Sequence, residues 1–157
     1  MKRISLILCC LAIALTTAAQ ARKVYDEQID PLQQIDQALA KAKADGKHLI
    51  CQVGGNWCPW CLRLADVVEK DSAIHAAIQQ SYIYIHVNYP RRDAAKNLTK
   101  RLHNAGRFGY PALVVMDATG SVLHIQDSSF LEEGKGYDSA KILRFLKGWT
   151  PEAVRTE

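Results

Sequence analysis

Residues 48–65 read HLICQVGGNWCPWCLRLA. His48 to Val53 is a short apolar run of the kind that forms a buried strand. Gly54-Gly55-Asn56 breaks it, and beyond Trp57-Cys58-Pro59-Trp60-Cys61 a helical pattern runs through Leu62, Leu64, Ala65, Val67 and Val68. The two cysteines therefore stand where a strand hands over to a helix. Three apart on a helical turn, they share one face and are close enough to form a small disulfide ring. Cys58 falls at the helix N-terminus, where unpaired backbone N–H groups and the helix dipole favour a thiolate and lower its pKa. The thiolate is the attacking species in disulfide exchange, so Cys58 is the expected nucleophile and Cys61, one turn deeper, the resolving thiol. Pro59 suits an early helical position, where a missing N–H costs little.

Other uses of the pair are weaker. A zinc site needs about four ligands, and the chain has no second Cys-x-x-Cys and no His-x-x-x-His, so no metal is expected. Covalent haem needs His after the second cysteine, where Leu62 stands. A purely structural disulfide remains an alternative, although closing so short a loop constrains the unfolded chain little.

Working outward, Leu32, Ile35, Ala38, Leu39 and Ala42 recur at helical spacing from Pro31 to Asp45, with Gly46 as a stop. A further element covers Ser72 to Gln80. Tyr82 to Val87 is rich in β-branched and aromatic residues and reads as a strand, followed by a polar helix over roughly Asp93 to Asn104. Ala112 to Met116 is a buried strand; Asp117-Ala118-Thr119-Gly120 is a turn, and Val122 to Gln126 pairs back as a hairpin. A helix over Asp138 to Gly148 closes the chain. Alternating helices and strands ending in a hairpin predict an α/β fold with a central mixed sheet flanked by helices.

With Trp-Cys-x-x-Cys between a strand and a helix, and Phe108-Gly109-Tyr110-Pro111-Ala112 opening a later strand, the chain resembles the thioredoxin-fold thiol–disulfide oxidoreductases of the secreted or periplasmic kind. The resemblance covers roughly Leu32 to Gly148. It implies a thioredoxin-like fold, protein substrates bearing thiols or disulfides, a membrane-bound redox partner, and no cofactor beyond the Cys58–Cys61 disulfide. It also implies a cis Tyr110–Pro111 bond, with the Tyr110 backbone offered to an incoming chain. The sequence departs from the cytosolic thioredoxins at two places. Pro59-Trp60 replaces Gly-Pro between the cysteines, and Gln52 stands where those proteins carry a buried acid, so the usual proton acceptor for Cys61 is missing. Trp60 adds no charge to steady a Cys58 thiolate, which points to a potential on the order of −180 to −240 mV, a reductant more than a strong oxidant.

The 157 residues, 48% hydrophobic, suit one domain. Lys2 and Arg3, the apolar stretch Ile4 to Leu15, and Ala19-Gln20-Ala21 have the three parts of a secretory signal, so residues 1–21 are expected to be cleaved. Cys9 and Cys10 would leave with them. The mature domain, residues 22–157, would carry 18 basic and 16 acidic side chains, giving nucleic acid no electrostatic foothold. It would be a soluble periplasmic or secreted monomer, with no apolar run of membrane-spanning length.

Three cysteines would then remain, and Cys51 reads as a small buried hydrophobe, the sharper alternative being a third redox thiol. Trp57 and Trp60 flank the pair as a landing surface for a polypeptide, with Trp60 the more exposed. Arg92, Lys96, Lys100 and His103 fall near one helical face, ordinarily a solvated one. The sequon Asn97-Leu98-Thr99 sits in a helical setting that disfavours glycosylation. From another class, the competing function is a non-catalytic binding module holding copper(I) or an unfolded chain through its thiols and aromatic residues.

Overall fold

The computed structural model describes residues 23–89 and 96–155. The expected signal segment 1–21 lies outside the described residues, as does Arg92 of the basic helical face. Among the described residues, five helices and six strands follow in the order α1 (Pro31–Asp45), β1 (His48–Gly54), α2 (Pro59–Lys70), α3 (Ser72–Ser81), β2 (Tyr82–Asn88), α4 (Lys96–Arg101), β3 (Ala112–Met116), β4 (Val122–Asp127), β5 (Glu132–Glu133), β6 (Gly136–Tyr137) and α5 (Ser139–Gly148). The main sheet has the order β2-β1-β3-β4, with β1 parallel to β2 and antiparallel to β3, and β3 antiparallel to β4. This is the mixed sheet that the alternation of elements predicts.

The seven residues of β1 are all buried, and their alternation divides the interior in two. Leu49, Cys51 and Val53 pack with Ile35 and Leu39 of α1 and Leu98 of α4. Ile50 packs on the opposite face with Leu64 of α2, Ile74 and Ile78 of α3, and Ile142, Phe145 and Leu146 of α5. Strand β2 keeps the same alternation: Ile83, Ile85 and Val87 join the α1 side, and Tyr82 and Tyr84 the other. A sheet covered on both faces needs near-continuous apolar central strands, which explains the run from His48 to Val53. Each large aliphatic side chain so buried contributes about 1.5–3 kcal/mol.

Side-chain caps set the helix ends. Asp30 accepts from the Gln33 N–H to start α1, whose last turn closes through the Gly46 N–H onto the Ala42 carbonyl. Asp71 sits at the α2–α3 junction. Its backbone N–H closes α2 on Val67, and one carboxylate oxygen accepts from the Ala73 and Ile74 N–H groups to open α3. The other accepts from the Ser139 hydroxyl at 2.7 Å, tying the junction to α5.

Two parts of the sequence reading need correction. The polar helix expected over 93–104 is described only as α4, ending at Arg101, because His103 and Asn104 take left-handed backbone angles (φ 50° and 54°) ahead of a 3-10 turn at Ala105–Phe108. His103 therefore leaves the face shared by Lys96 and Lys100. A two-residue hairpin, β5–β6, precedes α5 and was not foreseen; strands this short are below the reach of a period-two pattern. No helix among the described residues is long and apolar enough to cross a membrane.

The Asp71 carboxyl is held below its ordinary pKa, first by the Ser139 hydroxyl and then by the backbone N–H groups that it caps. A depressed folded-state pKa stabilises the fold above the unfolded value and loses that effect as pH falls through the folded one. Asp71→Ala should therefore lower Tm by several degrees at neutral pH, with the gap to wild type narrowing below about pH 4, as followed by circular dichroism.

Candidate active site

Cys58 is the N-cap of α2, with extended backbone angles, and Pro59 follows in the first turn. Its Sγ accepts the Cys61 backbone N–H at 3.2 Å, so the sulfur takes the place a capping oxygen normally fills. The two cysteines are joined in a disulfide with Cα atoms 5.2 Å apart. Cys58 retains 5% exposure and Cys61 none, the asymmetry expected of an attacking and a resolving sulfur. Gly54 ends β1 directly against Cys61. A Cβ there would overlap the Cys61 sulfur, so this approach of strand to helix requires glycine.

The sequence-predicted residues converge on the disulfide. The Tyr110–Pro111 bond is cis, as the resemblance implies, and the Tyr110 carbonyl oxygen lies 3.6 Å from the Cys58 Sγ. Gly109, at φ 88°, turns the chain into that loop. Trp57 stands edge-on to Tyr110 (ring centroids 5.3 Å), and Tyr110 in turn lies 5.5 Å from Tyr89. Pro59 is exposed, whereas Trp60 is only half-exposed, less open than the sequence suggests. The unforeseen hairpin is the reason: Tyr137 of β6 packs edge-on against Trp60 at 5.5 Å, and the Arg63 guanidinium covers its ring at 4.8 Å.

Beneath the disulfide lies a polar group that sequence reasoning identified only as a missing acid. Gln52 is completely buried, and its amide nitrogen donates to the Cys61 carbonyl at 3.0 Å and to the Tyr25 hydroxyl at 2.5 Å. The Tyr84 hydroxyl donates to its amide oxygen at 2.7 Å. Tyr25 comes from the segment ahead of α1, which Asn56 straps down: its side-chain oxygen accepts from the Val24 and Tyr25 N–H groups, and its nitrogen donates to the Tyr25 carbonyl. Burial pushes the Tyr25 and Tyr84 hydroxyls above the ordinary phenol range. Tyr84 had a signal in sequence, the alternation Tyr82, Tyr84, His86 against Ile83, Ile85, Val87. Tyr25, in an irregular segment, had none.

Cys51 is a neighbour of Gln52 in sequence and faces the other way. It is fully buried among the α1-side residues, with its thiol pushed up to about 12 by burial, an effect that Arg101 slightly opposes. Strand alternation thus puts the sheet between it and the Cys58–Cys61 pair, which supports the buried-hydrophobe reading against the third redox thiol.

Residues 30–118 match the sequence profile of the family described as thioredoxin-like, more than half of the chain. The chain belongs to that family. The match runs from the N-cap of α1 to the turn after β3, and so contains the cysteine pair, Gln52 and the cis-proline loop. The thioredoxin-like fold is also shared with solved structures. The disulphide isomerase from Xylella fastidiosa Temecula1 superposes with a TM-score of 0.70 at 24% identity, over 80% of this chain and 95% of that one. A DsbH oxidoreductase gives 0.51 at 21% identity over 76% and 82%. A thioredoxin from Thermus thermophilus gives 0.51 at 20% identity over 71% and 80%. At these identities the likeness is one of fold. No curated protein matches the chain in sequence.

In the oxidised protein, Cys51 should resist an aromatic disulfide reagent until denaturant is added, read by mass spectrometry of the labelled peptide. Cys51→Ala should cost about 1 kcal/mol of stability in urea unfolding and leave the Cys58–Cys61 disulfide able to form.

Proposed function

We propose that this chain is a thiol–disulfide oxidoreductase of the periplasmic or secreted compartment, exchanging disulfides with protein substrates through Cys58 and Cys61. The observation that carries the reading is the capping geometry of Cys58: a sulfur at a helix N-terminus, accepting a backbone N–H, beside the Tyr110 carbonyl. A donated N–H and the helix dipole both favour the thiolate. Two of the structural neighbours, a disulphide isomerase and a DsbH oxidoreductase, carry names that agree with the same chemistry.

In the reducing direction the Cys58 thiolate attacks a substrate disulfide. A Cys58–substrate S–S bond forms, the substrate S–S bond breaks, and one substrate sulfur departs as a thiolate that takes up a proton. Cys61 then attacks the Cys58 sulfur, and the second substrate thiolate leaves. The substrate gains two electrons and the pair becomes the disulfide, which a membrane-bound partner would reduce again. The Tyr110 backbone, the rings of Trp57 and Trp60 and the exposed Pro59 offer an extended polypeptide a strand-like edge and apolar contacts. The stabilisation visible at Cys58 is one backbone N–H and the helix terminus, which favours a working reductant with a potential on the order of −180 to −240 mV over a strong oxidant.

Insulin reduction by the purified protein is the direct test. Wild type should turn over, Cys58→Ser should lose at least about 100-fold, and Cys61→Ser should accumulate the Cys58 mixed disulfide, seen by mass spectrometry. No turnover by wild type, together with a Tm that rises on adding copper(I), would replace this reading with the binding module.

A further inference from the structure

Gln52 makes three hydrogen bonds beneath the disulfide, and the Cys61 carbonyl decides the direction of each. A carbonyl can only accept, so the Gln52 atom 3.0 Å from it is the amide nitrogen. The other amide atom is then the oxygen, an acceptor, and the Tyr84 hydroxyl 2.7 Å away must donate to it. The second N–H of the amide points at the Tyr25 hydroxyl oxygen, which must accept. Tyr25 therefore has its own proton left to give.

Where that proton can go is set by packing. Tyr25 shares one buried cluster with Cys58 and Cys61. A Cβ placed on Gly54 would overlap the Cys61 Sγ and stand 3.0 Å from the Tyr25 hydroxyl, so hydroxyl and sulfur converge on the same face of Gly54. Asn56, two residues before Cys58, binds the backbone of Val24 and Tyr25 at 2.9 and 3.0 Å and holds the phenol in this position.

We propose that Tyr25 donates its hydroxyl hydrogen bond to the Cys61 sulfur once the disulfide opens, steadying the thiolate that resolves the mixed disulfide, with Gln52 and Tyr84 as positioning residues. The proposal rests on the dithiol-exchange reading; Tyr25 does not replace the proton acceptor missing at Gln52 but steadies the anion left once the Cys61 proton has gone to solvent. When Cys61 attacks, its thiol proton passes through solvent to the departing substrate thiolate, and Tyr25 keeps its own. Burial holds the Tyr25 hydroxyl protonated well beyond neutral pH, so it serves as a donor and not as a base. A hydrogen bond donated to a buried anion is among the stronger ones. Among the described residues, the titratable and charged neighbours of the site are Cys58 at the start of α2 and Arg63 on it, Glu27 beside the strap, Tyr84 and His86 on β2, Tyr110 on the cis-proline loop, and Tyr137 on β6. A difference between two proteins sharing all of these cancels their contribution.

The test is stopped-flow reaction of the reduced protein with 5,5′-dithiobis(2-nitrobenzoate). Attack by Cys58 releases one thionitrobenzoate, and resolution by Cys61 releases a second. Tyr25→Phe keeps the ring and should slow only the second release, about tenfold, with its pH midpoint about one unit higher. Tyr84→Phe, which loosens Gln52 without touching Tyr25, should slow the same step about threefold, and it serves alone if Tyr25→Phe does not fold. An unchanged second release, or both releases slowed alike with no shift in pH profile, overturns the proposal. If wild type gives no second release, the dithiol-exchange reading itself has failed, which is a separate result.

Discussion

The burial of β1 on both faces is the constraint on which the rest of the molecule depends. A strand with no solvent side must send alternate residues into two different interiors. Leu49, Cys51 and Val53 go to the α1 side; Ile50, Gln52 and Gly54 go beneath α2. The same alternation that builds the core thus decides that a polar amide lies under the disulfide and that the third cysteine lies beyond the sheet. A register slip of one residue would exchange Cys51 and Gln52, putting a thiol beneath the disulfide and an amide in an aliphatic interior, where its unpaired groups would cost several kcal/mol.

The layer beneath the disulfide is built from neutral groups. A buried carboxylate would have to be paired or protonated, because the low-dielectric interior penalises an isolated charge heavily. An amide bonded to a carbonyl and two phenols meets the same geometric need with no ionisation. Such networks are stable when every member is satisfied, and here the amide uses both N–H groups and its oxygen. The rings around the disulfide come from the loop ahead of α2, α2 itself, the cis-proline loop and β6, so four separate parts of the chain shape the approach to Cys58.

Much of the fold was legible because its signals are local. The bounds of α1 follow from the apolar spacing that starts at Pro31 and from Gly46, and the strand, glycine pair and Trp-Cys-x-x-Cys run place the disulfide at a helix start without any tertiary information. Tyr110 and Pro111 were legible only through resemblance, since a strand-initiating proline carries no sign of its isomer. The hairpin at Glu132–Tyr137 escaped because two residues per strand show no periodicity. The end of α4 escaped because helical spacing continues through His103 while the backbone there turns left-handed.

The sequence by itself determined the order of the main elements, the place of the cysteine pair at a helix start and the neutrality of position 52, all of which rest on neighbours within a turn or two of chain. Only the tertiary structure decided what surrounds the pair. Tyr25 reaches Gln52 from 27 residues away, Tyr84 from 32, and Tyr137 meets the Trp60 carbonyl across 77. Contacts of that separation depend on how elements dock, and docking is set by burying apolar faces on a sheet, a cooperative property of the whole chain that no local pattern encodes.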